Sequence, residues 1–136
     1  MAIDYGLKRC GIAVTDPMQI IATGLDTIPT NEVTLWLEKY FAQEIIETIV
    51  LGEPKQANGS PSEIGPKVDT FAKVLHKKFP CVNIVRHDER YTSKMAFQTM
   101  IDGGLGKKKR QDKGLIDKIS ATILLQSYME FAKGRL

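Results

Sequence analysis

The sequence predicts an α/β domain built on a mixed five-stranded sheet, and two observations carry that prediction. The chain opens on two strand-like stretches joined by a glycine turn, and beyond Val33 short apolar runs alternate with helix-length amphipathic segments. Three antiparallel strands followed by strands that alternate with helices give one sheet with parallel additions and helices over its faces.

The opening stretch Met1 to Asp16, MAIDYGLKRCGIAVTD, reads as a hairpin. Asp4 ends the first strand, Gly6 to Lys8 turn, and the second strand runs to Thr15. Ile20 to Ile28 supplies a third strand, weakened by Gly24 and Asp26. Asn31 or Thr30 caps a helix from Val33 to about Gln43, on Leu35, Trp36, Leu37, Tyr40 and Phe41. Thr48 to Leu51 is the unbroken apolar run of a strand buried on both faces, stopped at Gly52, Glu53 and Pro54. A polar loop, Lys55 to Pro61, precedes a second helix from about Ser62, with Ile64, Val68, Phe71, Ala72, Leu75 and Phe79 as its stripe. Cys81 to Val85 is a fifth strand that runs out into Arg86, His87, Asp88, Glu89 and Arg90. Thr92 or Ser93 caps a third helix holding Ala96, Phe97, Met100 and Ile101, and a last helix extends from about Gly114 to Ala132.

The 136 residues, 43% apolar and 26% charged, fit one globular domain spanning 1–136 with no internal repeat or linker. The absence of a span-length apolar run or signal-peptide pattern predicts a cytoplasmic protein. Cys10 and Cys81 sit in strand-like stretches, as buried reduced thiols do. The net charge of +3 is mild, but Lys107, Lys108, Lys109, Arg110 and Lys113 crowd into seven residues beside a glycine-rich run. Such a run is commonly a solvated loop. Beside a carboxylate site it suits a polyanion, which makes nucleic acid the leading partner.

Asp4, Glu53, Asp88 and Glu89 all lie just beyond predicted strand ends, where open sheets of this kind hold their ligands. Asp117 heads a helical stripe of Ala121, Leu124 and Tyr128. An inward carboxylate needs a partner or a metal, although a first-turn acid complementing the helix dipole is the plainer alternative. Small Ala121 would let this helix approach the sheet and bring Asp117 towards Asp4. Hard oxygen ligands select Mg²⁺ or Mn²⁺, and no His or Cys cluster points to zinc. A salt bridge to Arg86 or Arg90 is an equally simple role for Glu89. His76 reads as a surface residue of the second helix. His87 adjoins the acids as a possible general base, but an ordinary exposed histidine is the better reading.

At these residues the sequence resembles the YqgF (RuvX) family, Holliday-junction-resolvase-like nucleases of the ribonuclease H fold. The matching segments are AIDYGLKRCGIAVTD at the start, LGEP after the fourth strand, DERYTS from Asp88, and KKKRQDKGLIDKISATILLQ from Lys107 to Gln126. The resemblance implies a Mg²⁺- or Mn²⁺-dependent nuclease that matures the 5′ end of pre-16S ribosomal RNA. Carried over by position, its catalytic acids are Asp4, Glu89 and Asp117. Three departures stand out. Only three residues precede Asp4, where relatives carry a fuller strand, which allows an upstream start. Cys10 replaces an aliphatic residue, and Glu53 stands where an apolar residue is common but where related resolvases place an acid. Glu53 is therefore a candidate additional metal ligand.

The expected chemistry is metal-assisted phosphodiester hydrolysis, with Lys8, Arg9 and Arg90 on flanking phosphates and the Lys107 to Lys113 loop clamping the strand. The alternatives are a Holliday junction resolvase and a nucleic-acid-binding module without catalysis. An ATP-dependent phosphotransferase is a weaker reading, since the chain has one such domain where those enzymes use two. Monomer and homodimer both remain open.

Overall fold

A computed structural model describes residues 1–53, 63–88 and 112–134. Its strands are β1 (Ala2–Tyr5), β2 (Arg9–Thr15), β3 (Ala22–Pro29), β4 (Thr48–Glu53) and β5 (Asn83–Asp88), and its α-helices are α1 (Val33–Phe41), α2 (Gly65–Lys78) and α3 (Lys113–Ala132). The sheet order is β3-β2-β1-β4-β5, antiparallel across β1–β2 and β2–β3 and parallel across β1–β4 and β4–β5. This is the predicted mixed sheet. The helix expected after Ser93 and the basic loop fall outside the described residues.

Strand alternation sorts the core into two layers. Ile3, Cys10, Ile12, Ile49 and Leu51 pack with Val33 and Leu37 of α1 and Phe71 and Leu75 of α2. Ala2, Ala13 and Val50 on the opposite face pack with Ala121, Leu124 and Leu125 of α3. The second layer is built from smaller side chains, so α3 lies close to the sheet. Gly24 deepens that seat, since a Cβ there would come within 2.7 Å of the Lys118 side chain and 3.0 Å of the Thr122 hydroxyl.

Several local expectations shift. The third strand begins at Ala22, and its weakness takes the form of a bulge: Ile12 pairs with Asp26 and Ala13 with Gly24, which leaves Leu25 without a register partner. A 3₁₀ turn at Thr30–Glu32 leads into α1, so neither Asn31 nor Thr30 is its N-cap, and α1 ends at Phe41. β4 continues through Gly52 to Glu53, and β5 starts two residues later than Cys81 and runs on to Asp88. Parallel pairing of Gly52 with His87 and Glu53 with Asp88 carries polar residues into both strands. Cys10 is a buried thiol as expected, but Cys81 is exposed, because it lies in the turn before β5.

Among the described residues, no helix is long and apolar enough to cross a membrane.

Candidate active site

Asp4 stands near the carboxyl end of β1, paired in register with Gly11 of β2. Thr30 fixes the turn between them, its hydroxyl donating to the Gly6 carbonyl at 2.7 Å and its amide to the Lys8 carbonyl at 3.0 Å. Gly6 is required here because a Cβ would overlap the Arg9 carbonyl oxygen.

α3 brings the second carboxylate. Its N-cap is Asp112, whose side chain accepts from the Leu115 amide at 3.2 Å, and the Thr27 hydroxyl anchors the same end by donating to the Gly114 carbonyl at 2.6 Å. Starting at Lys113, the helix carries Asp117 beyond its first turn. The simple helix-dipole role therefore gives way to the inward-facing one. The carbonyl of Asp117 lies directly over Gly11, so close that a Cβ at Gly11 would overlap it. Gly11 is thus the cross-strand partner of Asp4 and the seat of Asp117, which makes the two acids neighbours. Ala121 is the approach point expected from the sequence; Gly11 is a second one that the sequence alone does not reveal, because it exists only where α3 packs on β2.

The electrostatics reflect partial burial. Desolvation raises the Asp117 carboxyl above its ordinary pKa, and the nearby cations Arg9 and Lys113 pull against that rise without cancelling it. The Arg9 guanidinium forms an ion pair with Asp117 through Nε and Oδ2. Arg9 therefore turns towards the acids, whereas Lys8 is exposed on the turn. The Cys10 thiol is held up by burial, with the Asp4 and Asp117 charges adding to the effect.

The remaining acids divide between the faces. Ile49 and Leu51 of β4 point to the α1–α2 layer and Val50 to α3. Continued alternation assigns Glu53, and its register partner Asp88, to the α1–α2 side, whereas Asp4, two residues from Ala2, shares the α3 side. Arg86 follows the same rule by pairing with Asp69 of α2 at 2.7 Å. His87 follows it on the other face and corrects the expectation of an exposed histidine. Its Nε2 is 2.8 Å from the Ser127 hydroxyl, and its ring lies 6.0 Å from Tyr128 and 5.7 Å from Phe131. Burial lowers its pKa, with Asp88 opposing. Glu89, Arg90, Lys107, Lys108, Lys109 and Arg110 lie outside the described residues, and Lys113 opens α3 near Asp117.

Among the described residues no three acids, histidines or cysteines form a metal cluster. Asp4 and Asp117 nonetheless fit a hard divalent ion as a pair. They are oxygen donors, partly sheltered, and held by the backbones of a strand and a helix that meet at Gly11. A cleft of about 650 Å³ lies at the other end of the sheet, against Met1, Thr15 and Thr48, far from these acids.

The strand order, the packing of α3 across β1 and β2, and the acids at the strand ends define a ribonuclease H-like domain. The family model for RuvX, described as Holliday junction resolvase, matches residues 1–131. The chain belongs to the RuvX family. A relative from Flavobacterium johnsoniae is 58% identical over 129 residues, covering 95% of this chain and 94% of the relative. One from Christiangramia forsetii is 52% identical over 129 residues, covering 95% and 96%, and one from Parabacteroides distasonis is 48% identical over 136 residues, covering 100% and 97%. All three carry the name "Putative pre-16S rRNA nuclease".

Proposed function

We propose that this chain is a Mg²⁺- or Mn²⁺-dependent endonuclease that trims the 5′ end of pre-16S ribosomal RNA in the cytoplasm, with Asp4, Glu89 and Asp117 as its catalytic, metal-holding carboxylates. The seating of Asp117 over Gly11, the partner of Asp4, is the observation that carries it. A bound divalent ion would supply a lowered pKa for the attacking water and charge stabilisation at the leaving oxygen. The chain's own part is positional. β1 fixes Asp4, α3 fixes Asp117, and the exposed Lys8 and Lys113 flank the pair where a phosphodiester backbone would run. Arg90 and Lys107 to Arg110 complete the cationic path in this reading. Contacts of that kind hold a polyanion without reading its sequence, so selection of the cleavage point falls to RNA shape or single-stranded ends. The alternation of β4 argues for leaving Glu53 out of the ligand set.

The family description favours a second reading, cleavage of four-way DNA junctions. Paired cuts would call for two such sites about a two-fold axis. A labelled pre-16S 5′ leader and a four-way junction, incubated in parallel with Mg²⁺, Mn²⁺ or chelator, separate the readings. RNA cutting that needs metal and is lost in Asp4→Asn and Asp117→Asn supports the first, and cutting confined to the junction supports the second. Binding of RNA with no cleavage of either substrate would leave a non-catalytic binding module.

A further inference from the structure

Arg9 has the chemistry of a phosphate anchor, yet its Nε is buried in an ion pair with Asp117 Oδ2. Its position on β2 enforces this. Arg9 is two residues from Gly11 and so projects from the same face, and its backbone is pinned by pairing with Pro29 of β3. The pair is partly desolvated, the Arg9 and Asp117 side chains being 33% and 22% exposed. Charge interactions there are stronger than at an open surface. A carboxylate oxygen held by a guanidinium is not open to a second cation at the same position.

We propose that Arg9 is an internal competitor for the divalent cation at Asp117, setting a weak metal affinity that rises when its charge is removed. The inference rests on the metal-dependent reading of the site. Arg9 supplies the positive charge beside the Asp117 carboxylate, and a metal ion binding there takes over that task and releases the guanidinium. Arg9 is then a positioning residue whose charge tunes the carboxylate, rather than a fixed anchor for substrate. A purely orienting role makes the opposite forecast, because loss of the Arg9 contact would loosen Asp117 and weaken metal binding.

The test is a Mn²⁺ titration followed by electron paramagnetic resonance on wild type, Arg9→Gln, Arg9→Met, Arg9→Lys and Asp117→Asn, with no nucleic acid present. Both neutral variants should bind Mn²⁺ about five- to twentyfold more tightly, and Arg9→Lys should stay within about threefold of wild type. Unchanged or weaker binding in the neutral variants overturns the role of Arg9. Wild-type protein that binds no Mn²⁺, with Asp117→Asn indistinguishable from it, overturns the metal reading itself. Should the neutral variants fail to fold, the wild-type Arg9 Nε–H resonance decides. It should be protected from exchange in chelator and lose that protection as Mg²⁺ saturates, and protection that persists at saturation overturns the proposal.

Discussion

Gly11 faces Asp4 across the β1–β2 ladder and carries the backbone of Asp117 on its other side. One missing side chain thereby sets the separation of two carboxylates that are 113 positions apart in the chain. The space cannot be shared, because the obstacle to a Cβ is a helix backbone held by Asp112 and Thr27 at its start.

Gly11→Ala should therefore displace α3 and cost about 2–3 kcal/mol by overpacking. Gly24→Ala, beneath the same helix, meets side-chain atoms of Lys118 and Thr122 rather than helix backbone, and should cost about 1 kcal/mol. Urea denaturation of both variants checks the ranking. Equal costs would mean that the Asp117 carbonyl is not the contact that matters.

Asp117 offers a separation of stability from function. Burial holds its carboxyl above the ordinary value, so its ionised form is less favourable in the folded chain than in the unfolded one. By linkage, the stability this group contributes is present at acid pH and is lost as pH rises through its folded pKa. Asp117→Asn should accordingly melt no lower than wild type at pH 7, while its Mn²⁺ affinity falls at least about tenfold. Calorimetry beside a metal titration reads both, and a marked drop in Tm would assign the Arg9 pair a structural role instead.

Much of this fold was legible because its signals are local. The hairpin, the apolar run at Thr48–Leu51 and the stripe Val68, Phe71 and Leu75 each declare themselves over a few residues. Asp117 was legible for the same reason, since an acid heading an apolar helical stripe is conspicuous. What escaped depends on pairing between distant segments. The role of Gly11 exists only once α3 lies on β2, and the extension of β5 through Arg86 and His87 is stabilised by pairing with β4 and contacts to Asp69 and Ser127. Cys81 misled because its apolar neighbours resemble a strand that in fact begins at Asn83.

The two faces of the sheet give Asp4 and Glu53 different forecasts although both stand at the carboxyl end of a strand. Asp4→Asn should reduce metal-dependent cleavage to the level of a chelator control and weaken Mn²⁺ binding. Glu53→Gln should hold Mn²⁺ affinity within about twofold of wild type, because alternation assigns it to the α1–α2 side. A Glu53→Gln protein that loses metal as Asp4→Asn does would show that the end of β4 turns its acid across the sheet edge.

His87 makes folding stability depend on pH in a definite direction. Burial between Ser127, Tyr128 and Phe131 keeps its folded pKa below the ordinary 6.5, with the Asp88 charge only partly opposing. The unfolded chain therefore takes up a proton near pH 6.5 that the folded chain still refuses, and stability falls as pH drops from 6.5 to the folded pKa, then levels off. In chelated protein, His87→Gln should flatten this segment of a Tm-against-pH curve. Ser127→Ala should lower stability by about 1 kcal/mol at pH 7.5, where it strips a hydrogen bond from the neutral ring. The ring has no such segment to remove if wild type and His87→Gln trace parallel curves between pH 7.5 and 5.5, and its contact with α3 would then be too loose to exclude a proton.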